Sequence, residues 1–284
     1  MIRAAALAAV ACFAAGAHAL QLRDDRGVSV TLDQPPQRIV SLAPHLAEIA
    51  FAAGAGAKLV GVSTYTRDPP EAARLPVVAS YGRVDLERVI ALRPQLVLAW
   101  QSGNPPLQIG RLERLGIPVF VTETRTLADI PRIVRLVGRL AGTDEVAEAR
   151  AQRLERDIAE LRERNASKRS VAVFLEIWHA PMLTVNGAHL ASDALRACGG
   201  RNVFAAAKTL TPLVSREQLL AASPEVIVTT GFGDGEDAWR GLAPIEAVRR
   251  HRIYAIDPDL LYGQGPRFIE GARTLCERLE RARG

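Results

Sequence analysis

Short unbroken apolar runs alternate along the chain with segments of helical character. Ile39-Val40-Ser41-Leu42, Leu59 to Val62 and Leu96-Val97-Leu98-Ala99 are of the first kind, and Leu46 to Ala53 and Leu86 to Leu92 of the second. Strand, helix, strand is the grammar of a parallel α/β layer. The strands lack polar alternation, as a sheet covered by helices on both faces requires.

The pattern then recurs. Asp85 to Leu98 aligns without a gap with Ser215 to Val228, Ser215 standing 130 positions after Asp85. In each copy an N-cap residue opens a short helix, Pro94 or Pro224 follows its end, and an apolar strand begins. Similar strands open each half, Arg38 to Leu42 and Ser170 to Ile177. The reading is an α/β fold of two Rossmann-like lobes, residues 20–141 and 167–284.

Between them, Ala147, Ala151, Leu154, Ile158 and Leu161 lie three or four positions apart, one apolar stripe of a long helix within 142–166. Ile133, Val134, Val137 and Leu140 repeat the period just before it, and Gly142 breaks it. No Pro or Gly interrupts the connector, so small opening motions are expected, because bending a helix requires a break in its ladder.

Aromatic residues concentrate after the strands. Tyr65, Tyr81, Trp100, Trp178, Trp239 and Tyr262 each follow an apolar run or sit in the loop beyond it. Ligands of open α/β sheets bind outside the carboxyl ends of the strands, so two lobes facing each other predict a cleft lined by flat amphipathic rings, suited to a large, partly apolar ligand.

Composition sharpens this. The 284 residues carry 36 basic and 31 acidic side chains, and the cations are interleaved with acids instead of clustered, which argues against nucleic acid as a partner. Met1-Ile2-Arg3, the apolar stretch Ala4 to Gly16 and Ala17-His18-Ala19 have the form of a cleaved secretory signal over 1–19. Its apolar run is shorter than the roughly 20 residues that span a bilayer. Beyond it only Cys198 and Cys276 remain; in an oxidising compartment a disulfide is the natural inference, buried free thiols the alternative.

Catalytic signatures are missing. There is no P-loop, no Gly-x-Ser-x-Gly elbow and no His-Glu-x-x-His helix, and Gly231-Phe232-Gly233-Asp234-Gly235 reads as a turn. His45 and His179 each follow the first strand of a half and could face a metal or haem iron, with His189 nearby. Dedicated zinc sites need three or four clustered ligands, so no metal site is assigned. Glu87 and Glu217 hold matching places in the repeat, on the first turn of a helix. The macrodipole alone accounts for a carboxylate there; a two-fold related docking pair is the other reading.

The stretches Gly61 to Tyr65, Asp85 to Trp100, Ala197 to Phe204 and Pro212 to Gln218 make the chain resemble, from about Arg38 to Glu280, the helical-backbone substrate-binding proteins of bacterial ABC importers, and within them the vitamin B12 (cobalamin) carriers. The group also carries haem and siderophores. The resemblance implies a periplasmic, monomeric, non-catalytic receptor that hands cobalamin to an inner-membrane ABC permease dimer and has no cofactor of its own. It implies that Tyr65 contacts the corrinoid, that Asp259, Leu260, Leu261, Tyr262 and Gly263 form the facing wall, and that Trp100 and Tyr81 add to the cleft; Trp178 is a further ligand-binding candidate on its place after a strand alone. It also implies the Cys198 to Cys276 bridge, and docking of Glu87 and Glu217 on permease arginines. Tyr81 and Thr211 stand where the resembled pattern has Trp, and wall residues of this kind govern ligand choice. The alternatives are the same fold carrying haem or a ferric siderophore and, more remotely, an exported enzyme using Glu176.

Overall fold

The computed structural model describes residues 19–80, 82–231, 239 and 241–284. The expected signal segment, Tyr81 and most of the Gly231 to Gly235 turn lie outside them.

The chain starts with a hairpin of β1 (Leu20–Arg23) and β2 (Ser29–Leu32). The first lobe continues through β3 (Ile39–Ser41), α1 (Pro44–Ala52), β4 (Leu59–Ser63), β5 (Val77–Ser80), β6 (Arg83–Val84), α2 (Leu86–Ala91), β7 (Leu96–Trp100), α3 (Pro106–Arg114), β8 (Val119–Thr122) and α4 (Asp129–Ala141). Its sheet runs in the order β6-β5-β4-β3-β7-β8, parallel except at β6. After α5 (Asp144–Asn165) the second lobe has β9 (Val171–Trp178), β10 (Leu183–Thr184), α6 (Leu190–Ala197), β11 (Gly200–Asn202), α7 (Arg216–Ala222), β12 (Val226–Thr229), α8 (Glu246–Arg249), β13 (Ile253–Ala255), α9 (Pro258–Leu261) and α10 (Phe268–Arg283). Here β11, β9, β12 and β13 are parallel neighbours, and β10 pairs antiparallel with the end of β9. The α/β class and the two Rossmann-like lobes joined by a long helix agree with the sequence reading.

The repeat holds down to single dihedrals. The Asp85 carboxylate accepts from the Arg88 N–H at 3.1 Å and starts α2. Ser215 starts α7 through a reciprocal capping box with Gln218, at 3.2 and 2.9 Å. Arg93 and Ser223, equivalent in the repeat, both adopt left-handed backbone, with φ of 44° and 37°. Each reverses the chain from helix into the following strand, β7 or β12.

The α4 and α5 pair is set by two glycines. Gly142 ends α4 in the left-handed conformation. A Cβ on Gly138 would lie 2.2 Å from the Ala147 Cβ, so the two helices approach as closely as they do only because Gly138 has none. The whole α5 stripe from Ala147 to Leu161 is buried. It belongs to a continuous apolar core that includes Ile39 and Phe120 of the first lobe and Val173 and Leu275 of the second. Rigid swinging of the lobes would expose that shared surface, at about 25 cal/mol per Å². Cys198, at the end of α6, is bonded to Cys276 of α10, their Cα atoms 4.8 Å apart.

One expectation is corrected. Trp239 is not a cleft residue: it is buried in the second lobe's outer core, edge-on to Phe174 and His179 at 6.4 and 5.4 Å. No helix among the described residues is long and apolar enough to cross a membrane.

Candidate binding cleft

A cavity of about 290 Å³ lies between the lobes. The first lobe contributes Pro44, His45 and Glu48 of α1, Tyr65, Arg67 and Asp68 after β4, and Trp100 at the end of β7. The second contributes Pro258 and Asp259 of α9, Tyr262, Gly263 and Arg267. It therefore sits at the carboxyl ends of β4 and β7, where the sheet rule places a ligand. Drug-sized sites measure about 300 to 1,000 Å³, so a macrocycle larger than a drug overfills this one unless the walls part.

Three rings meet there. Tyr65 is 73% exposed and held at φ 63°, left-handed backbone that a bulky residue rarely adopts. Trp100 stands perpendicular to the His45 ring, their centroids 5.3 Å apart. Tyr262 donates its hydroxyl hydrogen to the Glu176 carbonyl at 3.1 Å, and burial raises its pKa. Asp259 and Gly263 also line the cavity. The rest of the expected wall is placed differently. Leu261 is fully buried in the shared core, and Leu260 packs by its backbone against Gly271, where a Cβ would come within 2.3 Å of the Leu260 carbonyl oxygen. Trp178 is 48% exposed at the end of β9, its indole N–H donating to the Ala180 carbonyl at 2.9 Å, and does not line the cavity.

Charge crosses the cleft twice. Arg67 donates to Asp259 at 3.1 Å, and Arg267 pairs with Asp68, so each lobe supplies one cation and one anion. Behind them, burial pushes the Glu48 carboxyl up to about 7 against the pull of Arg267, with Asp68 and Asp259 adding to the rise. Burial holds His45 down at about 3, so the ring is neutral at ordinary pH. His45 Nε2, Glu48 Oε2 and Trp100 Nε1 are all buried and lack a hydrogen-bond partner among the described residues. Three unmet polar atoms in one cavity are an arrangement that a polar ligand would complete.

Glu48, Arg67, Asp68 and Arg267 were not singled out from sequence. A signal for Glu48 was present: it and His45, three positions apart, are the two polar side chains of the otherwise apolar α1 segment PHLAEIAFA. The other histidines sit apart from the cavity lining. His179 Nδ1 is 2.7 Å from the buried Glu176 carboxylate, and His189 caps α6, its Nδ1 accepting from the Ala191 N–H at 3.1 Å. No cluster of three metal-ligating side chains occurs among the described residues.

Glu87 and Glu217 are both exposed, at equivalent positions on the first turns of α2 and α7. The Ser215 hydroxyl holds the Glu217 carboxyl below its usual range. One turn further on, Ile90 and Leu220 are 44% and 36% exposed and again stand 130 positions apart. Each repeat thus presents one acid with an exposed apolar side chain beside it.

A family model described as periplasmic binding protein matches residues 39–260. The vitamin B12-binding protein of Vibrio cholerae serotype O1 is 34% identical over 249 residues, 87% of this chain and 90% of that protein. The vitamin B12-binding protein of Pectobacterium carotovorum subsp. carotovorum is 34% identical over 250 residues, 86% and 88% of the two chains. Among solved structures, the periplasmic vitamin B12-binding protein BtuF of Vibrio cholerae superposes with a TM-score of 0.82 at 34% identity, covering 87% of this chain and 98% of that one. The periplasmic heme-binding protein RhuT from Roseiflexus sp. RS-1, in apo form, gives 0.79 at 27% identity over 87% and 99%.

Proposed function

We propose, because this chain belongs to the periplasmic binding protein family, that it captures cobalamin between its lobes and delivers it to an inner-membrane ABC permease. The observation that carries the reading is the meeting of Tyr65, Trp100 and Tyr262 in one interlobe cavity whose buried polar atoms await partners. Flat rings supply contact area to a macrocycle and the unmet N–H and carboxyl groups fix its orientation. The protein's part is binding alone, with cobalamin as cargo.

In this reading residues 1–19 are removed on export, the binding lobes are 20–141 and 167–284, and 142–166 is the rigid connector. The mature protein is a periplasmic monomer. Tyr65, Trp100, Asp259, Tyr262 and Gly263 contact the ligand in the present cleft. Glu87 and Glu217 engage basic sockets on a two-fold permease, a matched pair being what a symmetric partner selects.

Titration calorimetry of the mature protein against cyanocobalamin, hemin and a ferric siderophore tests this. Binding of cyanocobalamin at a stoichiometry of one, tighter than either rival, is expected. Heat with hemin alone would replace it with the haem reading, which the neutral His45 ring with its unmet Nε2 favours.

A further inference from the structure

We infer that Glu48 is a specificity-determining residue of the cleft, selecting macrocycles whose side chains end in amides over those whose side chains end in carboxylates. The inference rests on the corrinoid reading: the corrin ring of cobalamin is fringed with carboxamides, whereas haem carries two propionates.

Both arginines that line the cavity are already engaged by acids of the opposite lobe, Arg67 by Asp259 and Arg267 by Asp68. A ligand carboxylate entering there would have to displace one of those acids to find a cation. Glu48 reaches across from α1 to the loop before α10, where a Cβ on Gly265 would come within 2.6 Å of Oε2. Glycine at 265 leaves the carboxyl its place, and Oε2 stays buried without a partner among the described residues. As a carboxylate it accepts a hydrogen bond from an amide N–H. A ligand carboxylate has no hydrogen to give and brings a like charge up to a carboxylate whose Oε2 is buried, the repulsive element that specificity needs.

The groups facing Glu48 are Arg267, Asp68 and Asp259, with His45 on its own helix and Tyr262 lining the same cavity. His45 and Tyr262 are neutral near pH 7, so Glu48 is the group whose charge changes in the range where binding is measured. Above pH 7 it rejects carboxylates; below, protonated, it donates to either kind of side chain.

The test compares cyanocobalamin with its monocarboxylic acids, each carrying one hydrolysed propionamide, by calorimetry at pH 6 and pH 8. Wild type, Glu48→Gln and Glu48→Ala are used, with circular dichroism to establish that each variant is folded. In wild type at pH 8 at least one monoacid binds at least about tenfold more weakly than the amide, since like charges facing each other across a binding site cost more than that factor. The ratio shrinks at pH 6, and in both variants it falls towards one and loses its pH dependence. Equal discrimination in wild type and both variants, or none in wild type, overturns the inference and leaves cobalamin capture standing. Failure of wild type to bind cyanocobalamin at all overturns both.

Discussion

Arg67, in the loop after β4, and Asp259, in α9, meet across the cleft at 3.1 Å, and Arg267 with Asp68 returns the contact in the opposite sense. The Arg67 and Asp259 side chains are 70% and 45% exposed, so the pair adds only about 0.2–1 kcal/mol. That is too little to govern stability and enough to slow opening up to about fivefold. Arg67→Gln is expected to raise the cobalamin association rate by about two- to fivefold in stopped-flow, with stability within about 1 kcal/mol of wild type. An unchanged rate would mean that this pair does not hold the cleft.

Tyr65 combines large exposure with φ 63°, a conformation that costs a non-glycine residue about 1–2 kcal/mol. A strained, solvated ring contributes little to folding, so its role is sought at the ligand. Tyr65→Ala and Tyr65→Gly should both weaken cobalamin binding by about tenfold or more. The Gly variant should be the more stable of the two by about 1 kcal/mol, because alanine retains the left-handed penalty that glycine escapes. Equal chemical-denaturation midpoints for the two variants would show that the strain is not there.

Backbone organisation was legible in the sequence because it is periodic. The repeat at 85–98 and 215–228, the α5 stripe and the absence of polar alternation in the strands are local patterns, and local patterns decide elements. The cleft was legible at Trp100, which ends β7, although Trp178 ends β9 in the same way and stays outside the cavity lining. It was illegible where loop geometry decides: Trp239 follows β12 just as Trp100 ends β7, yet packs into the outer core against Phe174. Arg67 with Asp259 and Arg267 with Asp68 are contacts between residues nearly 200 positions apart, and no spacing rule in one sequence joins such partners.

Opposed titrations shape stability against pH. The folded-state value of Glu48 is raised from 4.5 to about 7, so its contribution is complete below pH 4.5 and is lost as pH rises through 7. The values of His45 and His189 are lowered from 6.5 to about 3 and about 4, so theirs is complete above pH 6.5 and is lost as pH falls through those values. Glu48→Gln should therefore gain on wild type by up to about 3 kcal/mol between pH 4.5 and 7 and level off above. His189→Asn, which keeps a helix-capping side chain, should gain on wild type as pH falls below 6.5. Urea unfolding at half-unit steps of pH reads both, and parallel curves for all three proteins would refute the assignment.

The Cys198 to Cys276 bridge closes a segment of 78 residues, worth about 4 kcal/mol in the chain-entropy account. It ties α6 to α10, both of which pack into the core shared by the lobes. Replacing both cysteines with alanine should lower unfolding stability by about 3–5 kcal/mol. Reducing agent should do the same to wild type and nothing to the variant. A loss under about 1 kcal/mol would mean that packing of α10 alone holds the second lobe together.

Glu87 with Ile90 and Glu217 with Leu220 form two copies of one surface feature, an acid and an apolar side chain one helical turn apart. Two copies related by the internal repeat fit a partner with its own two-fold axis, and both members of each copy would be covered together. Charge reversal places like charges against basic sockets, which costs several kcal/mol. Glu87→Arg and Glu217→Arg should each lower ligand-stimulated ATPase activity of the reconstituted permease by about tenfold or more, while the ligand dissociation constant stays within about twofold of wild type. Ile90→Ser and Leu220→Ser should give smaller losses of similar size, since each removes only part of one contact. A loss confined to one lobe would argue against a symmetric partner, and full activity in all four variants would remove these helices from the docking surface.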